Sequence, residues 1–146
     1  MEPRPFDLDM LSVTLAFDSD AALPRRGVRK MAHDGRHLLF EADDLCVDLR
    51  LEPDLDSGAV AVHGQLADRR DPLKGLGGSA VLLLDGERVA GWMFGNRNGE
   101  FVFEVRPGTG LRLCLPITDR GRIEIPLDPL LAARPVMEGA TSPESL

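Results

Sequence analysis

From about residue 36 onward the apolar residues of this chain recur at every second position, the spacing of strands with one face buried. Leu45, Val47, Leu49 and Leu51 alternate with Cys46, Asp48, Arg50 and Glu52, so one side of this segment is oily and the other faces water. Val60, Val62 and Leu66 repeat the pattern, with Gly64 in the remaining inward place, where a glycine marks a bulge or a close approach of another group. Leu38 and Phe40 share a face of a further strand over Arg36–Ala42. Strands are also expected at Val81–Leu84, Val89–Phe94, Phe101–Val105, Leu111–Leu115 and Ile123–Leu127, with Phe101, Phe103 and Val105 inward and Leu111, Leu113 and Leu115 as their cross-strand partners.

Polar and glycine-rich breaks separate these segments. Asp85-Gly86 is a two-residue hairpin signal, and Gly95–Gly99, Pro107–Gly110 and Asp119–Gly121 are the other turns. Short strands at such regular spacing point to an all-β antiparallel sandwich or barrel, of which the sandwich is the expected fold. The lack of long amphipathic helices between them argues against a parallel α/β fold. The sandwich is expected over residues 36–128. Residues 1–35 read as an N-terminal arm: Leu11, Val13, Leu15 and Phe17 alternate, although Leu8, Leu11 and Leu15 also suit a helix face. Residues 129–146 read as a short C-terminal tail, with a helical turn at Leu130–Arg134.

Composition narrows the function classes. The 146 residues include 17 basic and 24 acidic ones, a net charge of −7 that disfavours nucleic acid, whose phosphates need a basic face. A chain of this length buries a self-supporting core, and two cysteines, Cys46 and Cys114, supply no disulfide framework. No apolar run approaches a membrane span, and Met1–Met10, with Glu2, Asp7 and Asp9, lacks the basic start and apolar stretch of a secretory signal. The expected compartment is the cytoplasm, with both thiols reduced.

Two stretches resemble a known family. Val60–Asp68 (VAVHGQLAD), then Pro72-Leu73 and the apolar Val81–Leu84, resemble the opening of carboxypeptidase-regulatory-like domains, which are small prealbumin-like (transthyretin-like) β-sandwiches of Greek-key type. Asn96–Gly108, with Gly99, Phe101, Phe103 and Pro107-Gly108, is similar to their second signature, and the likeness covers about residues 58–127. The family often carries a Tyr after the Pro-Gly turn, where this chain has Leu111 and Leu113 and no Tyr at all. Arg36–Leu51 also resembles small bacterial proteins found beside extracytoplasmic-function-type sigma factors and caspase-like (CHAT) proteases. The resemblance implies a binding or scaffolding role and brings no catalytic residues.

Residues that could carry chemistry read mostly as structural. His33, His37 and His63 are too scattered for a metal signature, and Gly35 argues against a helix that would align the first two. Asp43, Asp44, Asp54, Asp56, Asp68, Asp71 and Asp119 could line a calcium site, but no calcium loop with a terminal Glu is present. Glu41 with Glu52, or Asp48 with Glu104, could face each other on adjacent strands as an acid–base pair, against the simpler reading of a solvated surface. Ser12, Ser19, Ser57 and Ser79 sit in no nucleophile elbow, and Cys46 and Cys114 read as small fillers. Gly75–Gly78 lacks the Lys-Ser or Lys-Thr and the helix of a phosphate loop, and reads as an inter-strand loop. Trp92 is expected in the core, and whichever face of its strand is not core would offer aromatic surface to a partner.

The expectation is therefore a non-catalytic protein-interaction module without metal or cofactor. Its role would be that of a cytoplasmic bacterial adaptor or inhibitor in a sigma-factor or protease pathway. A carbohydrate- or polymer-binding accessory sandwich and a small enzyme on the same scaffold are the alternatives. The partner is expected to be a protein, with a sigma factor or a caspase-like protease as the candidates, and neither nucleic acid nor membrane. The expected binding residues are the stripe Leu11, Val13, Leu15 and Phe17 and the basic cluster Arg25, Arg26, Arg29 and Lys30, whose sign opposes that of the whole chain. Because neither the cysteine count nor the histidine spacing supplies a staple, the melting temperature is expected to be unchanged by EDTA or by reductant. Thermal scans with and without each reagent check this, and a large fall with EDTA would return the loop aspartates to the role of calcium ligands.

Overall fold

The computed structural model describes residues 8–20, 35–108, 110–117 and 120–131. Two antiparallel sheets form a β-sandwich. In chain order the strands are β1 (Thr14–Asp18), β2 (Arg36–Ala42), β3 (Leu45–Pro53), β4 (Val60–Asp68), β5 (Asp71–Gly75), β6 (Ala80–Asp85), β7 (Arg88–Phe94), β8 (Glu100–Val105), β9 (Leu111–Ile117) and β10 (Gly121–Pro126), followed by the single-turn helix α1 (Asp128–Leu131). The six-stranded sheet runs β1-β2-β3-β4-β5, with β8 also paired to β4, and the four-stranded sheet runs β10-β9-β6-β7.

Alternation builds the core. Leu38 and Phe40 of β2, Val47, Leu49 and Leu51 of β3, and Val62 and Leu66 of β4 point inward from the first sheet. Val81 and Leu83 of β6, Leu113 and Leu115 of β9, and Ile123 and Ile125 of β10 meet them from the second. The register explains why this works: Leu49 stands opposite Leu38 on one side and Gly64 on the other, so one face of β3 is apolar throughout. No polar or charged residue is buried among those described.

Three expectations change. β8 and β9 do not form a hairpin: Val62 pairs with Phe103 and Gly64 with Phe101, while β9 pairs with β6 and β10. Phe101 and Val105 are buried and Phe103 is half-buried, but they meet Leu113 and Leu115 across the core from the opposite sheet and not as cross-strand neighbours. The connection after β8 thus crosses between sheets instead of turning back. The sandwich also begins before residue 36. Thr14–Asp18 pairs with β2, and before it Met10 makes a parallel bridge to Arg122, with the Leu11 N–H donating to the Arg122 carbonyl at 2.8 Å. At the other end Leu127 is fully buried and Leu130 and Leu131 pack partly on the core, while 132–146 lie outside the described residues. The hairpin between β6 and β7 has Gly86-Glu87 at its tip, with Asp85 opposite Arg88, one residue later than the Asp85-Gly86 signal.

Gly64 shows why its strand needs a glycine. A Cβ built there would lie 2.1 Å from Cζ of Phe101, because the ring covers that stretch of backbone. Gly64→Ala is therefore expected to cost about 1–3 kcal/mol by overpacking. Adding Phe101→Leu should recover part of that loss in a double-mutant cycle followed by urea denaturation. Additive losses would mean that the ring and the glycine are not in contact.

Candidate functional site

The outward side chains of the six-stranded sheet form the most chemically varied surface. Register places His37 opposite Arg50 and Arg50 opposite His63, so three strands carry a basic row. The next row holds Leu39, Asp48, Gln65 and Glu100. His37 Nε2 lies 2.8 Å from Asp48 Oδ1 and His63 Nε2 lies 3.4 Å from Glu52 Oε1. The Asn96 side-chain amide donates to Glu100 Oε1 at 3.0 Å. Asp48, Arg50, His63, Gln65, Asn96 and Glu100 line a groove of about 560 Å³, walled by Met93, Phe101 and Val102. His37 is thus hydrogen-bonded to a carboxylate on the neighbouring strand and His63 lies near one, pairings that strand register creates and residue spacing alone does not reveal.

The second surface is β7, at the edge of the four-stranded sheet. Its alternation is as read from the sequence, but the core expectation for Trp92 is overturned. Met93 packs on the core, whereas Trp92 is 45% and Phe94 58% exposed. Their rings meet edge-to-face with centroids 5.3 Å apart. Trp92 stands beside Leu82, on the face of β6 that turns away from the main core. On that face Leu82, Leu84 and Cys114 form a separate buried cluster with Ala80 and Val89 against it.

The stripe Leu11, Val13, Leu15 and Phe17 divides. Leu11 and Val13 pack partly on the core, while Leu15 and Phe17, on β1, are 46% and 41% exposed. A register shift between Leu15 and Phe17 puts these two on opposite faces of the sheet, with Phe17 edge-on to His37 at 5.5 Å. β1 is tied down by the Arg36 guanidinium, which donates to Asp18 Oδ2 at 2.7 Å and to the Leu130 carbonyl at 3.1 Å. Arg25, Arg26, Arg29 and Lys30 lie outside the described residues.

The other candidates can be placed one by one. Glu41 pairs with Cys46 at one end of β3 and Glu52 with Ala61 at the other, so these glutamates do not meet. Asp48 and Glu104 sit on strands separated by β4, so they form no adjacent-strand acid–base pair either. The loop aspartates have partners of their own: Asp44 binds Arg120, Asp68 binds Arg70, and Asp54 accepts from the Ser57 hydroxyl. Arg120 holds the Asp44 carboxyl and Arg70 the Asp68 carboxyl below the usual range, and for Asp54 the Asp56 backbone N–H does so first, with the Ser57 hydroxyl second. Among the described residues no three His, Cys, Asp or Glu side chains are grouped to hold a metal. Asp119 and His33 lie outside those residues. Ser19 Oγ accepts from the backbone N–H of His37 instead of meeting its ring. Gly75–Gly78 packs against the loop at 95–99, with the Gly95 N–H donating to Ser79 O at 2.9 Å.

Comparison with protein-family models, curated proteins and solved structures returned no match. Among the described residues no helix is long and apolar enough to cross a membrane.

Both thiols are buried. Burial, with Glu124 adding to it, pushes the Cys114 thiol up to about 12, and burial followed by Asp48 and Glu41 also raises Cys46. Neither thiol is expected to react with iodoacetamide at pH 8 in the native protein, while both should react in urea. Mass spectrometry of the alkylated chain reads this directly, and fast native labelling of either residue would place a nucleophile where burial forbids one.

Proposed function

We propose that this protein is a non-catalytic protein-interaction module that takes up an extended, apolar segment of a partner along β7. The supporting observation is the edge of that strand, unpaired among the described residues, where Trp92 and Phe94 are exposed side by side. Natural sheets protect such edges with prolines, inward charges or coverage. Between Val89 and Phe94 this strand has no charge and no proline. A strand added there would gain main-chain hydrogen bonds, with alternate side chains meeting the two aromatic rings. Large aromatics are also the residues most enriched among binding hot spots.

The resemblance of the chain to small bacterial regulatory proteins makes a sigma factor or a caspase-like protease, in the cytoplasm, the proposed partner. The expected binding stripe supports a second reading, because Leu15 and Phe17 expose apolar surface on the opposite edge strand, β1.

Point substitutions separate the two readings. Removing residues 1–35 would not, because Met10, Leu11 and β1 are built into the sheets. Trp92→Ser with Phe94→Ser is expected to leave the melting temperature near that of the parent and to weaken the partner complex by about 2 kcal/mol or more, the scale of an interface hot spot. Leu15→Ser with Phe17→Ser should leave binding intact. Affinity measured by calorimetry for each variant decides the matter: the reverse pattern moves the interface to β1, and no change in either variant removes both edges.

A further inference from the structure

The groove beside the outer face of the six-stranded sheet differs from the β7 docking edge in chemistry, although Met93 of β7 lines it. Arg50 lines it, exposed, and the register sets it opposite His37 on one side and His63 on the other. Arg36, Arg112 and Arg122 on other strands all end on carboxylates. Arg50 sits between Asp48 and Glu52 on its own strand, yet both of those acids bind imidazoles instead: Asp48 holds His37 at 2.8 Å and Glu52 faces His63 at 3.4 Å. Glu100, the remaining acid of the groove, is held by the Asn96 amide at 3.0 Å. Among the described residues no carboxylate lies within ion-pairing distance of the Arg50 guanidinium, so its donors are left open beside the groove.

We infer that this groove is a binding site for a small organic oxyanion, a carboxylate or a phosphate ester, with Arg50 as its anchor. A guanidinium presents a planar fork of donors that matches two oxygens of either group. The volume of about 560 Å³ suits a ligand of monosaccharide to nucleotide size. Val102 and Met93 give the wall an apolar patch for the body of the ligand, and Gln65 and Asn96 offer amides to its hydroxyls. Asp48 and Glu100 repel a second negative charge, so the site selects a ligand with one oxyanion on an otherwise neutral, hydrogen-bonding frame.

The test titrates the full chain with glucuronate, glucose 6-phosphate and glucose, which share a body and differ in the oxyanion, followed by ¹H–¹⁵N NMR. Saturable shifts with glucuronate or glucose 6-phosphate, and none with glucose, are expected at residues of β3, β4 and β8. Which of the two binds more tightly tells a carboxylate site from a phosphate site. Arg50→Gln should weaken that binding at least about tenfold, the equivalent of one charge-assisted hydrogen bond. Arg50→Lys should recover only part of it, and Glu104→Gln, outside the groove, should leave it unchanged. Native spectra of the Arg50 variants show that they fold. Absence of shifts with both acids up to about 10 mM, a concentration beyond the weak end of specific affinity, overturns the proposal. So does equal binding of glucose, or binding that Arg50→Gln does not weaken.

Discussion

The sandwich depends on one close crossing of backbone against backbone. The chain leaves the six-stranded sheet after β5 and returns to it before β8, and these two connections pass each other in contact. A Cβ at Gly75 would stand 1.7 Å from the Asn98 carbonyl oxygen, one at Gly77 2.3 Å from that of Asn96, and one at Gly99 2.4 Å from that of Leu66. Side chains are impossible at all three places unless the loops move apart. The approach is held by hydrogen bonds: Leu66 N–H to Gly99 O at 3.0 Å and Leu76 N–H to Leu66 O at 2.9 Å. Because both connections meet the end of β4, that strand can share its second edge between β8 and β5. The glycine run after β5 is thus a packing device, and the lack of a helix after it has a structural reason.

The two outer faces carry their polar groups differently. On the four-stranded sheet, Glu124 receives Arg112 at 2.9 Å and Arg122 at 2.7 Å, so charges on β9 and β10 are tied together beside the buried Leu82, Leu84 and Cys114. On the six-stranded sheet the His37–Asp48 and His63–Glu52 pairs are more exposed than these. Exposed pairs of this kind add little to stability. Their consequence is local: they set which groups are left to meet a ligand. Arg36 has the opposite task, joining β1, β2 and α1 through Asp18, Asp20 and the Leu130 carbonyl. That cluster makes Thr14–Asp18 part of the sandwich.

Individual strands were legible in the sequence because alternation is a local property. Arg36–Ala42 is found with the expected bounds, and β3, β4 and β6–β10 lie within a few residues of the runs that announced them. Pairing was less legible. Consecutive strands usually neighbour each other, and by that rule Phe101–Val105 should meet Leu111–Leu115. Nothing in Pro107–Gly110 distinguishes a hairpin from a crossing between sheets, so the register of Gly64 with Phe101 had no local signal beyond the glycine itself. β5 escaped notice for a related reason, since Asp71–Gly75 has no alternation and pairs with β4 over a short, shifted register. The groove was hidden by the same limit: His37, Asp48, Arg50 and His63 become neighbours only once three strands are in register.

One strand links the two recognition surfaces. Met93 lines the groove and packs on the core, while Trp92 and Phe94, alternating with it, turn to the opposite face at the edge of the sheet. Asn96, two residues beyond Phe94, accepts from the Asn98 and Glu100 N–H groups at 2.9 Å through its side-chain oxygen and holds the Glu100 carboxylate through its amide. The turn that carries the chain from β7 into β8 is therefore also the wall of the groove. Pairing a further strand to β7 would order the backbone up to Phe94, directly before that turn, whereas a ligand at Arg50 would press on its far side. The period of two makes this economical: neighbouring positions of a single strand face different partners, and the six-residue span from Gly91 to Asn96 serves the core, the edge and the groove together.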